Sequence, residues 1–174
     1  MKLPRIALGL ASLTLLAGCS DAPDNGGPLE FHGDATAKSS LTMQVEDGEQ
    51  IVSGFNVVTN TGDDPVTLTD AYLEGDVPAE AAEKVEARAL NPELTNFDIL
   101  AGERWPYKNY AKLSEPINGF TVEPGAEVNI MIVVDVHKAG EHTWPATVVT
   151  YETTDGDAYE IRNEGFAFGI KPFD

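Results

Sequence analysis

Apolar and polar residues alternate along much of this chain with a period of two, the pattern of half-buried strands. LTMQV at 41–45 alternates cleanly, IVSGFNVVT follows at 51–59, and VTLTDAYL at 66–73 alternates again. VNIMIVVDV at 128–136 is apolar almost throughout, which predicts a central strand covered on both faces. TVVTY at 147–151, the segment 158–161 and FAFGI at 166–170 complete the set. Turn-forming runs such as TNTGDDP, EPGAE, HKAGEH and TTDGDAY separate these segments. Short strands at this spacing predict an all-β fold, an antiparallel sandwich of about seven strands.

Two stretches fit that scheme less well. PAEAAEKVEARAL at 78–90 holds good helix formers, with Pro78 suited to a first helical turn, yet Val85, Ala87 and Ala89 alternate with Glu86, Arg88 and Leu90. The pattern predicts a helical turn over 79–83 and a strand over 84–90. Residues 91–115 carry two Pro, scattered aromatics and no period. A loop of that length in a compact domain is either packed on the sheet or functional.

The start of the chain obeys a different rule. Lys2 and Arg5 precede an apolar run at 6–16, too short for the roughly 20 residues that span a bilayer core. A cationic start, a short apolar run and small residues at its end read as a secretory leader. The only cysteine of the chain, Cys19, follows directly in LLAGCS. A single Cys forms no intramolecular disulfide, and an unmodified thiol in an oxidising compartment is a reactive liability.

Leu16-Ala17-Gly18-Cys19 resembles the lipobox of bacterial lipoproteins. The resemblance covers about the first twenty residues. It implies that Cys19 receives a diacylglyceryl group, that signal peptidase II recognises Leu16, Ala17 and Gly18 and cleaves after Gly18, and that the new amine of Cys19 is open to N-acylation. It also implies a lipid-anchored protein on the extracytoplasmic face of a bacterial cell membrane. Ser20, rather than Asp, after the Cys would permit outer-membrane sorting in a cell that has one.

Loss of 18 of the 174 residues would leave 156, enough for one domain with a real core. Removal of Lys2 and Arg5 leaves nine Lys and Arg against 29 Asp and Glu, a formal net charge of −20. Such a surface repels nucleic acid and anionic headgroups, so nucleic-acid binding is excluded. SDAPDNGGPLE at 20–30 has almost nothing to bury and reads as a tether. The expected organisation is a leader at 1–18, lipidated Cys and tether at 19–33, and a β-sandwich domain at 34–174.

The sequence NVVTNTGDDPVTLTDAYL, then GFTVEPGAEVNIMIVV and TVVTYETTDGDAYEI, resembles bacterial extracytoplasmic domains of immunoglobulin or fibronectin type III form. The resemblance spans most of 40–170 and implies that architecture. It departs from true immunoglobulin domains in lacking a Cys pair with an intervening core Trp, and it implies no ligand.

Candidate chemistry is sparse. AGERWP at 101–106 and AGEHTWP at 139–145 echo each other without being a structural repeat. Trp105, Tyr107 and Tyr110 fall in the aperiodic stretch, where packing beneath a loop and contact with a glycan or peptide are both open. His137 and His142 flank a turn beside Glu141, so a hairpin would bring them together as secondary candidates for Zn²⁺ or Cu²⁺. His32 lies in the expected tether, and Met43 and Met131 in apolar strands. The pairs Asp63/Asp64 and Asp155/Asp157 are what hairpin turns require and do not follow EF-hand spacing, so no metal site and no cofactor beyond the covalent lipid is expected.

No G-x-S-x-G, H-E-x-x-H or phosphate-cradling loop occurs, and the lone Cys is committed to the anchor. The expectation is a lipoprotein, not an enzyme, acting as a non-catalytic binding or accessory module for an envelope protein or wall glycan. Its alternative is a metal- or small-ligand-binding surface lipoprotein. The expected partners are the membrane, through the anchor, and the lipoprotein-processing enzymes.

Overall fold

The apolar run at 128–136 becomes the central strand of the computed structural model, which describes residues 26–32, 39–91, 100–107, 109–138, 140–163 and 166–171. In chain order the strands are β1 (Leu29–Phe31), β2 (Ser39–Gln44), β3 (Gln50–Asn60), β4 (Val66–Glu74), β5 (Ala82–Leu90) and β6 (Leu100–Arg104). A one-turn helix, α1 (Tyr110–Leu113), leads into β7 (Ser114–Pro116) and β8 (Thr121–Val122). Then come β9 (Glu127–Val136), β10 (His142–Trp144), β11 (Ala146–Thr153), β12 (Ala158–Asn163) and β13 (Phe166–Lys171). Thirteen strands among the described residues replace the seven or so expected. The surplus consists of strands of two to five residues, too short to show a period.

The fold is all-β. The largest sheet is antiparallel, ordered β1-β3-β9-β5-β7, with β6 sharing the outer edge of β3 with β1. A four-stranded antiparallel sheet runs β12-β11-β4-β8. A third, β10-β13-β2, contains a parallel pair, β13 with β2, which the antiparallel expectation did not include.

β9 shows why its sequence is apolar throughout. Val128, Ile130, Ile132, Val134 and Val136 join the main core with Leu68, Val149 and Tyr151 of the four-stranded sheet. Successive side chains of a strand point to opposite faces, so Met131 looks the other way, into a second buried cluster. β9 therefore buries both faces.

Elsewhere a single extra residue resets the alternation. Across β4 and β11, Asp70 faces Thr150 but Leu68 faces Tyr151, leaving Thr69 as the bulged residue. The inward set accordingly shifts from Val66 and Leu68 to Ala71 and Leu73. In β5 the register jumps between Lys84 and Glu86. The residue passed over, Val85, is 48% exposed, while Ala87 and Ala89 are in the core. The helical turn expected at 79–83 is a single turn closed on Pro78 O, to which Ala81 N and Ala82 N donate at 2.8 and 3.1 Å, and the strand starts at once from Ala82. Sheet pairing with β9 overrides the helix formers.

The stretch read as a tether, 19–33, ends earlier than expected. β1 lies inside it, pairs with β3, and buries Leu29 to 1% exposure. Three contacts fix that entry. Thr61 N and Thr61 Oγ1 each donate to Pro28 O at 2.8 Å, and Leu29 N donates to the Tyr151 hydroxyl at 3.2 Å. Gly27 crosses the stacked Tyr151 and Tyr159 rings, whose centroids are 5.6 Å apart. A Cβ there would overlap the Tyr151 hydroxyl and stand 2.7 Å from Tyr159 Cγ.

Burial raises the Tyr151 pKa above its ordinary 10.0, and the Leu29 hydrogen bond opposes this more weakly. A folded-state pKa above the unfolded one contributes stability that is complete below pH 10 and is lost as pH rises through the folded value. Unfolding free energy should thus fall above pH 10 more steeply in the wild type than in Tyr151→Phe. The difference is bounded by one proton, ~1.4 kcal/mol per pH unit. Equal slopes in urea titrations at pH 9 to 11.5 would refute the assignment.

Candidate functional site

The aromatic residues singled out in the aperiodic stretch do come together. β6 runs antiparallel to β3, and Trp105 N donates to Gln50 O at 2.8 Å, which pins the chain as it leaves β6. After Pro106 the chain turns, with Tyr110 N donating to Tyr107 O at 3.1 Å, and enters α1. The Tyr107 and Tyr110 rings stack at a centroid distance of 5.6 Å and an interplanar angle of 14°. Tyr110 packs with Val52, Leu90 and Met131, while Trp105 and Tyr107 lie half-buried against that cluster. Tyr110 is thus a packing residue. Trp105 and Tyr107 keep exposed edges.

Arg88, which the sequence reading passed over, holds this cover in place. Its Nε donates to Ser114 Oγ at 2.8 Å, one terminal nitrogen donates to Ser114 O at 2.7 Å and Ala111 O at 3.3 Å, and the other pairs with Glu86 at 2.8 Å. Ser114 Oγ in turn donates to Tyr110 O at 2.6 Å. One guanidinium on β5 therefore fastens the end of α1 to the sheet, using the multiple donors that Lys lacks. An isolated Arg inside an alternating strand gives no sequence signal for this.

The two WP motifs part company. Trp144 is 6% exposed and belongs to the main core, whereas Trp105 covers the outer face of the large sheet.

The histidines do not converge. His137 Nε2 pairs with Glu83 Oε1 at 3.2 Å, and His142 Nε2 lies 3.1 Å from Lys138 O. Glu141 points to Lys171 at 3.5 Å, and His32 pairs with Glu127 at 3.4 Å. Among the described residues no three His, Cys, Asp or Glu side chains are grouped to hold a metal. His142 lines an open groove of about 470 Å³ with Asp76, Pro78, Glu141, Thr143 and Pro145.

What the sequence reading missed is that the two acidic pairs share one groove. Because β4 pairs with β11, the 61–65 corner and the 153–157 hairpin lie side by side. Asp63, Asp64, Asp155 and Asp157 line a hollow of about 270 Å³ together with Thr153 and Tyr159. Asn60 builds the corner: its Nδ2 donates to Asp64 O and Val122 O, both at 2.9 Å, and its Oδ1 accepts from Gly62 N at 3.0 Å. Gly156, at φ +85°, closes the hairpin, with its N–H on Thr153 O at 3.0 Å. Cys19 and Leu16, Ala17 and Gly18 lie outside the described residues.

No protein-family model matches the chain, and no curated protein matches its sequence. Among solved structures it is similar to the VesB protease of Vibrio cholerae (9% identity, TM-score 0.39, 83% of this chain) and the secreted serine protease VesC of Vibrio cholerae (12%, 0.38, 84%). A family 123 glycoside hydrolase from Clostridium perfringens is comparably similar (13%, 0.40, 83%). The chain spans 32%, 24% and 28% of those chains. The expectation of a non-catalytic binding or accessory module is corrected: the similar structures are proteases and a glycoside hydrolase, and that expectation is not carried forward. Its metal-binding alternative loses its site, because His137 and His142 face different partners. At these TM-scores the likeness brings neither proteolysis nor glycoside hydrolysis to this chain.

Proposed function

We propose that this chain is a bacterial lipoprotein: an all-β domain held on the extracytoplasmic face of a membrane by lipid on Cys19. The observation that carries this reading is the sequence of a cationic start, a short apolar run and Leu16-Ala17-Gly18-Cys19, with no other Cys in 174 residues. A thiol is the side chain that forms a stable thioether, and small residues before it leave the peptide bond accessible. Two or three acyl chains anchor stably where one is marginal. Only seven residues separate Cys19 from the pinned Gly27, a length suited to a surface tether.

The domain itself is proposed to be immunoglobulin-like. Taking β1, β3, β4, β5, β9, β11 and β12 as strands A to G, the large sheet reads A-B-E-D and the smaller one G-F-C. That is the strand order of constant-type immunoglobulin domains. β6, α1, β7 and β8 are then an insertion between D and E, which accounts for the aperiodic stretch. The departures are the missing Cys pair and the extra β10-β13-β2 sheet.

Intact-mass measurement on protein extracted from membranes tests the anchor. The expected species lacks residues 1–18 and carries diacylglyceryl, with or without an N-acyl chain. A chain of unmodified mass would overturn the reading.

A further inference from the structure

The contacts at Gly27, Pro28 and Leu29 do more than start a strand: they decide which end of the domain the anchor leaves from. Pro28 is held by Thr61, and Leu29 by Tyr151. Gly27 lies on the Tyr151–Tyr159 stack, where no side chain fits. All of this sits at the end of the domain that carries the 61–65 corner and the 153–157 hairpin. The 123–126 turn is there too, because Gly125 N donates to Asn60 O at 2.8 Å. The opposite pole carries the turn at 75–81 and residues 137–138, since β4 ends at Glu74 opposite Ala146, and Ala82 pairs with Val136.

We propose that the domain stands end-on on the phospholipid surface, with this pinned corner nearest the headgroups and the 75–81 turn and residues 137–138 pointing away. The proposal rests on lipidation of Cys19. The eight residue steps from Cys19 to Gly27 reach at most ~28 Å. The ten residues of β9 span ~33 Å, so the far turns lie a further strand length from the anchored end.

Charge does not reverse this geometry. The three near turns hold Asp63, Asp64, Glu123, Asp155 and Asp157 and no Lys or Arg. The far turns add Asp76, Glu80 and Glu141 against Lys138. Neither pole is drawn to anionic lipid, so covalent attachment decides orientation. Repulsion then sets the height of the corner above the surface, over a distance of ~10 Å in 0.1 M salt. The corner should settle closer on neutral lipid or in high salt.

Fluorophores on a thiol introduced by Thr154→Cys or, separately, Asp76→Cys test the orientation. Both positions are exposed, and the Cys19 thioether leaves the new thiol unique. The purified lipoprotein is placed in phosphatidylcholine vesicles with nitroxide-labelled headgroups. Quenching at position 154 should exceed that at 76 at least threefold. It should fall when phosphatidylglycerol is added at low salt and return in 0.5 M NaCl. The pair Asp157→Cys and Lys138→Cys repeats the comparison should either first variant misfold. Vesicle flotation that succeeds with equal quenching at the two poles would overturn the orientation alone. Absence of flotation would overturn the anchor and the orientation together.

Discussion

Cys19→Ser should move the protein almost entirely out of the membrane fraction. Each acyl CH₂ buried in the bilayer contributes about 0.8 kcal/mol, so the two chains of a diacylglyceryl group outweigh anything the folded domain can supply. Without them the domain has no compensating attraction. Its formal charge, −18 with the leader retained, opposes anionic headgroups, and among the described residues no helix is long and apolar enough to cross a membrane. The retained leader has only a short apolar run at 6–16. The substitution exchanges two small side chains of similar size at a position ahead of the first strand, β1 (Leu29–Phe31). Flotation and alkaline washing of membranes should show Cys19→Ser in the soluble fraction at wild-type thermal stability. Wild-type membrane retention of the variant would defeat the lipoprotein reading.

The fold was legible in the sequence where burial alone sets the pattern. β9 has apolar residues on both faces, and both faces are covered, by the four-stranded sheet on one side and by Tyr110 on the other. It was illegible where the partner strand sets the pattern. Nothing in VTLTDAYL or AEKVEARAL marks Thr69 or Val85 as the residue passed over, because a bulge is a property of two strands in register. β1 was hidden for another reason: three residues among Gly, Pro and acids carry a single buried side chain, Leu29. β6, α1 and β7 have apolar residues at no fixed spacing, because β6 and β7 are short edge strands paired with β3 and β5, and α1 is held to β5 by Arg88.

Candidate sites follow the same division. Trp105, Tyr107 and Tyr110 were close in sequence, and their meeting required only local turns. The acidic pairs are 92 residues apart, counted from Asp63 to Asp155, and only the pairing of β4 with β11 brings them onto one groove. His137 and His142 were close in sequence yet hold different partners, Glu83 of the neighbouring strand β5 and Lys138 O across the turn. Proximity along the chain predicts contact only where no better partner competes.

The outer face of the large sheet offers the sharpest stability experiment. A sheet face left to solvent tolerates truncation of its side chains, so Met131→Ala would then cost almost nothing. Here Met131 is fully buried beneath Tyr110, which is itself only 6% exposed. Met131→Ala should cost about 2–4 kcal/mol, and Tyr110→Ala about 3–5 kcal/mol, the range of large-to-small core substitutions. The two residues share one cluster, so the double variant should fall short of the sum by at least ~0.5 kcal/mol. Tyr107→Ala, at a half-buried position, should cost less than either. Urea unfolding, with the slope checked for constancy, reads all four values. A Met131→Ala variant within ~0.5 kcal/mol of the wild type would mean that the α1 segment does not pack on the sheet. The expected losses would make Tyr110 a core residue contributed by a one-turn helix, with Trp105 and Tyr107 half-buried beside it.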